Sequence, residues 1–132
     1  AQQAFLKSSN IGPNDWFGSR AALSGDGNTA ILNSSLEDSS GKGINGKQDD
    51  DAASESGAVY IFMRTGTTWR QQYYVKSSNA EAYDEFGGSV AVSRDGRTIL
   101  ASAHAEDGGA KSTAGQADNS ISESGAVYVF SN

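Results

Sequence analysis

The sequence contains an internal repeat, and overlooking such a repeat leads to a wrong fold assignment. Residues 2–10 read Gln-Gln-Ala-Phe-Leu-Lys-Ser-Ser-Asn, and residues 71–79 read Gln-Gln-Tyr-Tyr-Val-Lys-Ser-Ser-Asn. Residues 54–62, Ser-Glu-Ser-Gly-Ala-Val-Tyr-Ile-Phe, return at 122–130 with a single change. Two repeats of 68 or 69 residues therefore fill the 132-residue chain.

Each repeat predicts four antiparallel β-strands, and neither shows a helical period. Gly-Asp-Gly-Asn at 25–28 and Arg-Asp-Gly-Arg at 94–97 lie between apolar runs. Asp-Gly in this setting is a strong hairpin signal, because it tolerates the positive φ of a tight turn. Four strands in about 68 residues is the pattern of a β-propeller blade with one long loop. We expect a single all-β domain of two blades, with repeats at about 2–68 and 69–130. The strands are expected at 2–8, 18–24, 29–34, 58–63, 69–77, 87–93, 98–103 and 126–130.

The strands are permuted by one position relative to the blades. One complete four-stranded sheet spans 18–77, whereas the sheet over 87–130 lacks its outer strand. Left alone, such a chain exposes an unpaired strand edge. We therefore expect head-to-tail assembly in which strand 2–8, which has the matching sequence, completes the 87–130 blade of a neighbouring chain. A contact of this kind closes as a ring or continues as a fibre. A homotrimer would have six blades and a homotetramer eight.

Composition narrows the range of functions. Sixteen acidic and ten basic residues give a net charge of −6, which argues against a nucleic-acid partner. The chain has no cysteine and begins with no signal peptide, and it has no apolar run near the ~20 residues of a membrane span. His104 is the only histidine and has no counterpart in the first repeat. No catalytic triad can be argued from it, and we expect no enzyme.

Four short segments carry a family resemblance. They are Phe17-Gly18 and Ser56–Phe62 in the first repeat, and Phe86-Gly87 and Ser124–Tyr128 in the second. In these segments the chain resembles bacterial FG-GAP repeat proteins, which are similar to the β-propeller at the head of integrin α subunits. The resemblance covers essentially the whole chain. It implies an extracellular or cell-surface protein that is used for binding and adhesion.

Two elements of the family pattern are missing. Asn-Ser-Ser at 33–35 and Ser-Ala-His at 102–104 stand in place of the Gly-Ala-Pro element that names the family. The integrin-type calcium loop is reduced to one carboxylate in each hairpin, Asp26 and Asp95. One carboxylate is a poor substitute for the several oxygen ligands that calcium takes, so we expect no calcium at the hairpins.

The long acidic loops are a second possible location for calcium. The candidate ligands are Asp49, Asp50, Asp51, Asp118 and Asn119. The alternative interpretation is that these loops are solvated and keep a β-rich protein soluble. In that interpretation the chain needs no cofactor.

Two aspartates and two aromatic residues precede the Phe-Gly pairs, where a loop meets the innermost strand: Asp15, Trp16, Tyr83 and Asp84. An exposed aromatic ring beside a carboxylate can hold a sugar, since the ring stacks on its apolar face and the carboxylate accepts from its hydroxyls. In the alternative interpretation Trp16 packs between blades and the aspartates brace the turn.

Other aromatic residues recur at matching strand positions and are expected in the core: Phe17, Tyr60, Phe62, Trp69, Phe86, Tyr128 and Phe130.

Together these features favour a non-catalytic binding or scaffold module that assembles into a closed ring. A lectin-like carbohydrate-binding propeller with one site per repeat is the first alternative. A calcium-dependent adhesion module is the second. The expected partner is the chain itself, with a glycan or a protein as a further ligand.

Overall fold

The computed structural model describes residues 1–111 and 115–131, which form two antiparallel sheets. The strands are β1 (Ala21–Leu23), β2 (Thr29–Ser34), β3 (Ala58–Thr65), β4 (Thr68–Val75), β5 (Val90–Val92), β6 (Thr98–Ala103) and β7 (Ala126–Ser131). The first sheet has the order β1-β2-β3-β4, and the second has the order β5-β6-β7. No α-helix occurs in the described residues, which agrees with the all-β prediction.

The innermost strands are shorter than the sequence pattern indicates. β1 and β5 have three residues each, in place of 18–24 and 87–93. A turn precedes each of them. The backbone N–H groups of Ser19 and Gly88 each donate to the carbonyl oxygen three residues earlier, both at 3.1 Å. The backbone is still turning over these residues, so each strand begins only after the turn.

The Asp-Gly hairpins form as expected. Asp26 Oδ1 accepts hydrogen bonds from Ser24 Oγ at 2.6 Å and from Asn28 N at 2.9 Å. Asp95 makes the same two contacts in the second repeat. These bonds, chiefly the one from the serine hydroxyl, hold the pKa of both aspartates below its usual range. The hairpin carboxylates are therefore committed to their own turns.

Each sheet has an aliphatic face and an aromatic face, because successive side chains of a strand point to opposite sides. The aliphatic faces comprise Ile31, Val59, Ile61 and Val75 in the first sheet, and Leu100, Val127 and Val129 in the second. The aromatic faces comprise Phe17, Tyr60, Phe62 and Tyr74 in the first sheet, and Phe86, Ile99, Tyr128 and Phe130 in the second. The aliphatic face of the first sheet packs against the aromatic face of the second to form one core. The aliphatic face of the second sheet is left uncovered, with Val127 and Val129 each 65% exposed.

The aromatic residues expected in the core are buried to different extents. Phe86, Tyr60 and Phe62 are buried, and the rest of that set is partly buried. Edge-to-face contacts repeat in the two sheets, since Phe86 lies 5.5 Å from Tyr128 and Phe17 lies 5.3 Å from Tyr60 between ring centroids. Tyr128 retains exposure because no fourth strand of the described chain lies beside β7.

Residues 2–8 are not a strand in the single chain, contrary to the sequence pattern. A strand requires a hydrogen-bonded neighbour, and among the described residues this segment has none. Side chains hold it against the aromatic face of the first sheet instead. Trp69 Nε1 donates to Gln3 Oε1 at 3.0 Å, and Leu6 packs against the aromatic cluster.

The two repeats also join through their loops. Three backbone N–H groups of residues 83–86 donate to carbonyls of residues 54–56, at 2.8–3.0 Å. Gly57 permits this approach, because its φ is +79° and a Cβ there would lie 2.2 Å from the carbonyl oxygen of Phe86. The equivalent segments, 14–17 and 122–124, make no such bonds to each other within the described chain.

Replacing Ile31 by alanine should destabilise the fold by about 2–5 kcal/mol, because it opens a cavity in the core between the sheets. Ile31 is fully buried. Urea unfolding followed by fluorescence measures the loss. Ile121→Ala is the matched control, since Ile121 is exposed in a loop and should change stability by less than about 0.5 kcal/mol. Equal shifts of the two midpoints would contradict the packing.

Candidate functional site: two polar clusters beside the sheets

A buried ion pair lies where β4 ends. Lys76 follows β4 directly, and its Nζ lies 2.6 Å from Glu37 Oε2 and 2.6 Å from Ser56 Oγ. Glu37 Oε1 accepts from Asn10 Nδ2 at 2.6 Å and from Tyr74 Oη at 3.1 Å. Lys76 and Glu37 are almost completely buried. We define the first polar cluster as Asn10, Glu37, Tyr60, Tyr74 and Lys76.

The first polar cluster is mostly buried and internally satisfied, and its half-buried member Asn10 lies with Glu37 along a groove beside it. Burial lowers the pKa of Lys76, and the charge of Glu37 opposes that shift. Burial also raises the pKa of Tyr60 and Tyr74, so both phenols are neutral donors. Tyr60 Oη donates to Asn10 Oδ1 at 2.7 Å. A buried ion pair is tolerated only when its remaining hydrogen-bonding groups have partners, and this pair has them.

The second repeat forms the same arrangement without a lysine. Asn79 Nδ2 donates to Glu106 Oε1 at 2.5 Å, and Tyr128 Oη lies 2.8 Å from Asn79 Oδ1 and 3.1 Å from Glu106 Oε2. Glu106 is only 6% exposed. Burial, and then the neighbouring Asp84 carboxylate, raise the pKa of Glu106 to about 7. No basic group of the described residues forms an ion pair with Glu106. We define the second polar cluster as Asn79, Asp84, Glu106 and Tyr128.

The two aspartates predicted to bind a sugar are buried in their own loops. Asp15 accepts from Gly12 N at 2.9 Å, and Asp84 accepts from Glu81 N at 2.7 Å. Burial raises the pKa of both carboxyl groups. These contacts brace the loops before the Phe-Gly pairs, which is the alternative role described above for the aspartates.

The two aromatic residues predicted to bind a sugar are exposed. Trp16 is 64% exposed and Tyr83 is 60% exposed. Both have positive φ, +58° and +70°, which is uncommon for bulky side chains. Trp16 does not pack between the two sheets. The rings occupy different positions in the repeat, because Trp16 corresponds to Glu85 and Tyr83 corresponds to Asn14. Glycan binding by these rings stays a prediction.

The predicted calcium ligands are spread over two loops. Asp50 accepts from Ser40 N and Ser40 Oγ, both at 2.8 Å, and pairs with Lys47 at 2.9 Å. Asp118 accepts from a backbone N–H, whereas Asn119 donates to Glu81. Asp49 and Asp51 lie beside Asp50 along an acidic groove of about 380 Å³. Within residues 1–111 and 115–131, no three acidic, histidine or cysteine side chains are grouped to hold a metal ion.

His104 has a contact of its own and is a member of neither polar cluster. Its side chain is exposed, and its Nε2 lies 3.5 Å from Glu85 Oε2. This pair sits on the surface at the end of β6. It gives no support to a catalytic role.

The second repeat has a known family signature. The sequence model of the FG-GAP repeat matches residues 69–130, a range that runs from β4 into β7. Residues 69–130 are therefore similar to an FG-GAP repeat. This confirms the resemblance for the second repeat, where it was drawn from Phe86-Gly87 and Ser124–Tyr128. No curated protein and no solved structure matches the chain. Over the described ranges, no helix is long and apolar enough to cross a membrane.

Sequence reasoning did not single out the charged pair beside the FG-GAP repeat. A signal was present, since Lys7 and Lys76 recur within identical Lys-Ser-Ser-Asn segments. Glu37 and Glu106 also recur at matching positions. Identical charged residues in otherwise diverged repeats indicate a shared structural role. Their burial depends on tertiary packing, however, and could not be inferred from the pattern.

Replacing Lys76 by methionine should destabilise the chain by about 3–5 kcal/mol, because Glu37 would be left as an unpaired buried charge. The double variant Lys76→Met with Glu37→Gln should recover most of the loss, since it removes both charges. Urea unfolding of the three proteins measures these changes. Lys47→Met is the control, because its pair with Asp50 lies at the surface and contributes little. A double variant no more stable than Lys76→Met would contradict this account of the pair.

Proposed function

We propose that the chain is a non-catalytic binding or scaffold module of the extracellular adhesion type, and that it assembles head-to-tail into a closed β-propeller ring. The observation that carries the proposal is the unequal pairing of the two repeats. The first sheet has an outer strand, β4, whereas the second sheet ends at β7. Residues 2–8 match the sequence of β4 and have no strand partner in the described chain.

The exposed faces support the same direction of assembly. Within the chain, an aliphatic face packs on an aromatic face. The second sheet leaves its own aliphatic face exposed, with Val127 and Val129 outermost. The first sheet carries the other aromatic face of the chain. Because these surfaces differ, the contact between chains is heterologous, and such a contact repeats around a ring when its rotation closes.

The character of the polar groups supports a role without catalysis. The carboxylates of the two polar clusters and of the Phe-Gly loops are used by backbone amides, side-chain amides, phenols and one lysine. These contacts stabilise loops and strands. FG-GAP repeats typically occur in extracellular proteins, which supports a location outside the cell or at its surface.

Light scattering on a size-exclusion column should give a molar mass that is a multiple of the 13.7 kDa chain mass. A six-bladed homotrimer has a mass of about 41 kDa and an eight-bladed homotetramer about 55 kDa, by closure of a heterologous contact. Val129→Lys should shift the protein to the monomer, because it places a charge on the exposed aliphatic face. Thr67→Lys makes the same charge change in the exposed β3–β4 turn and should leave the mass unchanged.

A folded monomer at every concentration would contradict the ring, and so would an open series of masses without an end point. Repeating the measurement with EDTA and with added calcium tests the calcium-dependent adhesion alternative. Assembly that needs calcium would favour that alternative.

A lectin-like carbohydrate-binding propeller is the second candidate, and the exposed rings of Trp16 and Tyr83 favour it. Their positive φ values recur at Asn14 and Glu85, the matching positions of the other repeat, so the shared loop conformation presents each ring to solvent. A glycan array followed by thermal shift with the best glycan tests it, since a bound ligand raises the melting temperature. Trp16→Ala should abolish the shift. Ile11→Ala removes another exposed apolar side chain near the same loop and should retain it. An array without any binder would contradict the candidate.

A further inference from the structure

The two polar clusters differ in one respect that packing alone leaves unexplained. Glu37 and Glu106 are both buried, and each accepts from the asparagine of a Ser-Ser-Asn segment. Glu37 has Lys76 as its counter-ion. Glu106 has no basic partner within the described residues. Two adjacent carboxyl groups resist ionising together, so Glu106 and Asp84 share a proton through their side-chain hydrogen bond in the isolated chain. A cation that enters the second polar cluster would take the place of that proton.

The second polar cluster opens into a groove that is large enough for side chains. The groove has a volume of about 640 Å³ and runs along β7. Its lining includes Asn79, Glu106, Val127 and Tyr128. In the first sheet, the equivalent position beside β3 is filled by β4 and by Lys76. An amphipathic strand that ends in a lysine therefore fits this groove.

Residues 2–8 have the required sequence. Phe5 and Lys7 are spaced as Tyr74 and Lys76 are, two residues apart and on one face of an extended segment. Phe5 is 80% exposed, and Lys7 is also exposed. Both side chains are thus available for a neighbouring molecule.

The segment is already positioned as the outer strand of a blade that precedes the first sheet. Asn10 binds Glu37 as Asn79 binds Glu106, so the Ser-Ser-Asn segments dock equivalently. Leu6 packs on the aromatic face of the first sheet. Val75, its counterpart in β4, packs against the aromatic face of the second sheet. The other strands of that preceding blade would come from a second copy of the chain, whose β5–β7 sheet has no outer strand among the described residues.

We infer that Lys7 of a second copy enters the second polar cluster and pairs with Glu106. This inference rests on the proposed function and specifies the contact between one chain and the next. We call this contact the joint. The pairing of β3 with β4 fixes the register: Tyr60 lies opposite Tyr74, and Ile61 lies opposite Tyr73. When this register is applied to β7 and to residues 2–8 of the second copy, Phe5 of that copy lies opposite Tyr128 and its Ala4 lies opposite Val129.

The joint makes assembly sensitive to pH. The titratable and charged groups around the site are Asp84, Asp107 and Tyr128, with Glu81 near Asp84, and Lys76 and Lys111 along the groove. Without a counter-ion the pKa of Glu106 is about 7, and an adjacent ammonium group would lower it. Assembly then releases protons, so it weakens by up to tenfold per pH unit per joint below about pH 7.

Cysteine cross-linking tests the register on a chain that has no cysteine of its own. Directly opposite residues of antiparallel strands have Cβ atoms about 4.5–5.5 Å apart, near the distance that a disulfide spans. Ala4→Cys with Val129→Cys should give covalent oligomers under mild oxidation. Ala4→Cys with Val127→Cys shifts the pairing by two residues and should give few. Equal cross-linking of both variants would overturn the register.

Charge exchange tests the ion pair in the full chain. Lys7→Glu should reduce the assembled mass to that of the monomer at pH 8, and Lys7→Glu with Glu106→Lys in one chain should restore assembly. Lys42→Glu makes the same charge change in an exposed loop and should assemble normally. Because Glu106→Lys could disturb folding, Glu106→Gln provides a second readout. Its assembly should lose the pH dependence of the wild type between pH 5 and 8.

The outcomes separate the joint from the ring. A wild-type ring that survives Lys7→Glu, or a Glu106→Gln variant with unchanged pH dependence, would overturn the ion pair and leave the proposed function standing. A wild-type chain that is monomeric at all concentrations and pH values would overturn both.

Discussion

The packing of an aliphatic face against an aromatic face is the constraint on which the rest of the molecule depends. Each repeat supplies one face of each kind, so two repeats in one chain satisfy one such contact. The aliphatic face of the second sheet and the aromatic face of the first remain as complementary surfaces. Burying apolar surface is worth about 25 cal/mol per Å², so exposed side chains such as Val127 and Val129 favour association. The direction of any association is set by the chemistry of the faces.

The polar clusters add specificity that apolar faces cannot provide. Apolar contacts tolerate sliding, whereas a buried charge must meet its partner at one position. In the first sheet, the contact of Lys76 with Glu37 fixes where β4 ends relative to the loop after β2. The same logic applies to Glu106, whose carboxylate is held by Asn79 and Tyr128 in a fixed orientation. A site preorganised in this way would admit the proposed lysine at one register only.

Much of the fold could be predicted from the repeat, because turn chemistry and alternation are local properties. The Asp-Gly hairpins and the bounds of β2 and β6 follow directly from the sequence. The short inner strands did not, since turns before β1 and β5 override the alternating pattern. Residues 2–8 have strand character, but pairing depends on a neighbour. The charged pair of Lys76 and Glu37 was missed for a related reason, because burial is a property of the assembled sheet.

The differences between the repeats indicate how a joint between chains would compare with the contact inside one chain. Tyr74 donates to Glu37, whereas Phe5, its counterpart, has no hydroxyl to offer Glu106. Tyr128 Oη lies 3.1 Å from Glu106 Oε2 instead, so a joint built on Phe5 and Lys7 would surround its carboxylate with as many hydrogen-bond donors as Glu37 has. Association between separate chains costs about 4–15 kcal/mol of translational and rotational freedom, which a contact inside one chain does not incur, so the joint between chains would open before the sheets within a chain separate. An assembly of this kind would combine a lasting contact inside each chain with a reversible contact between chains.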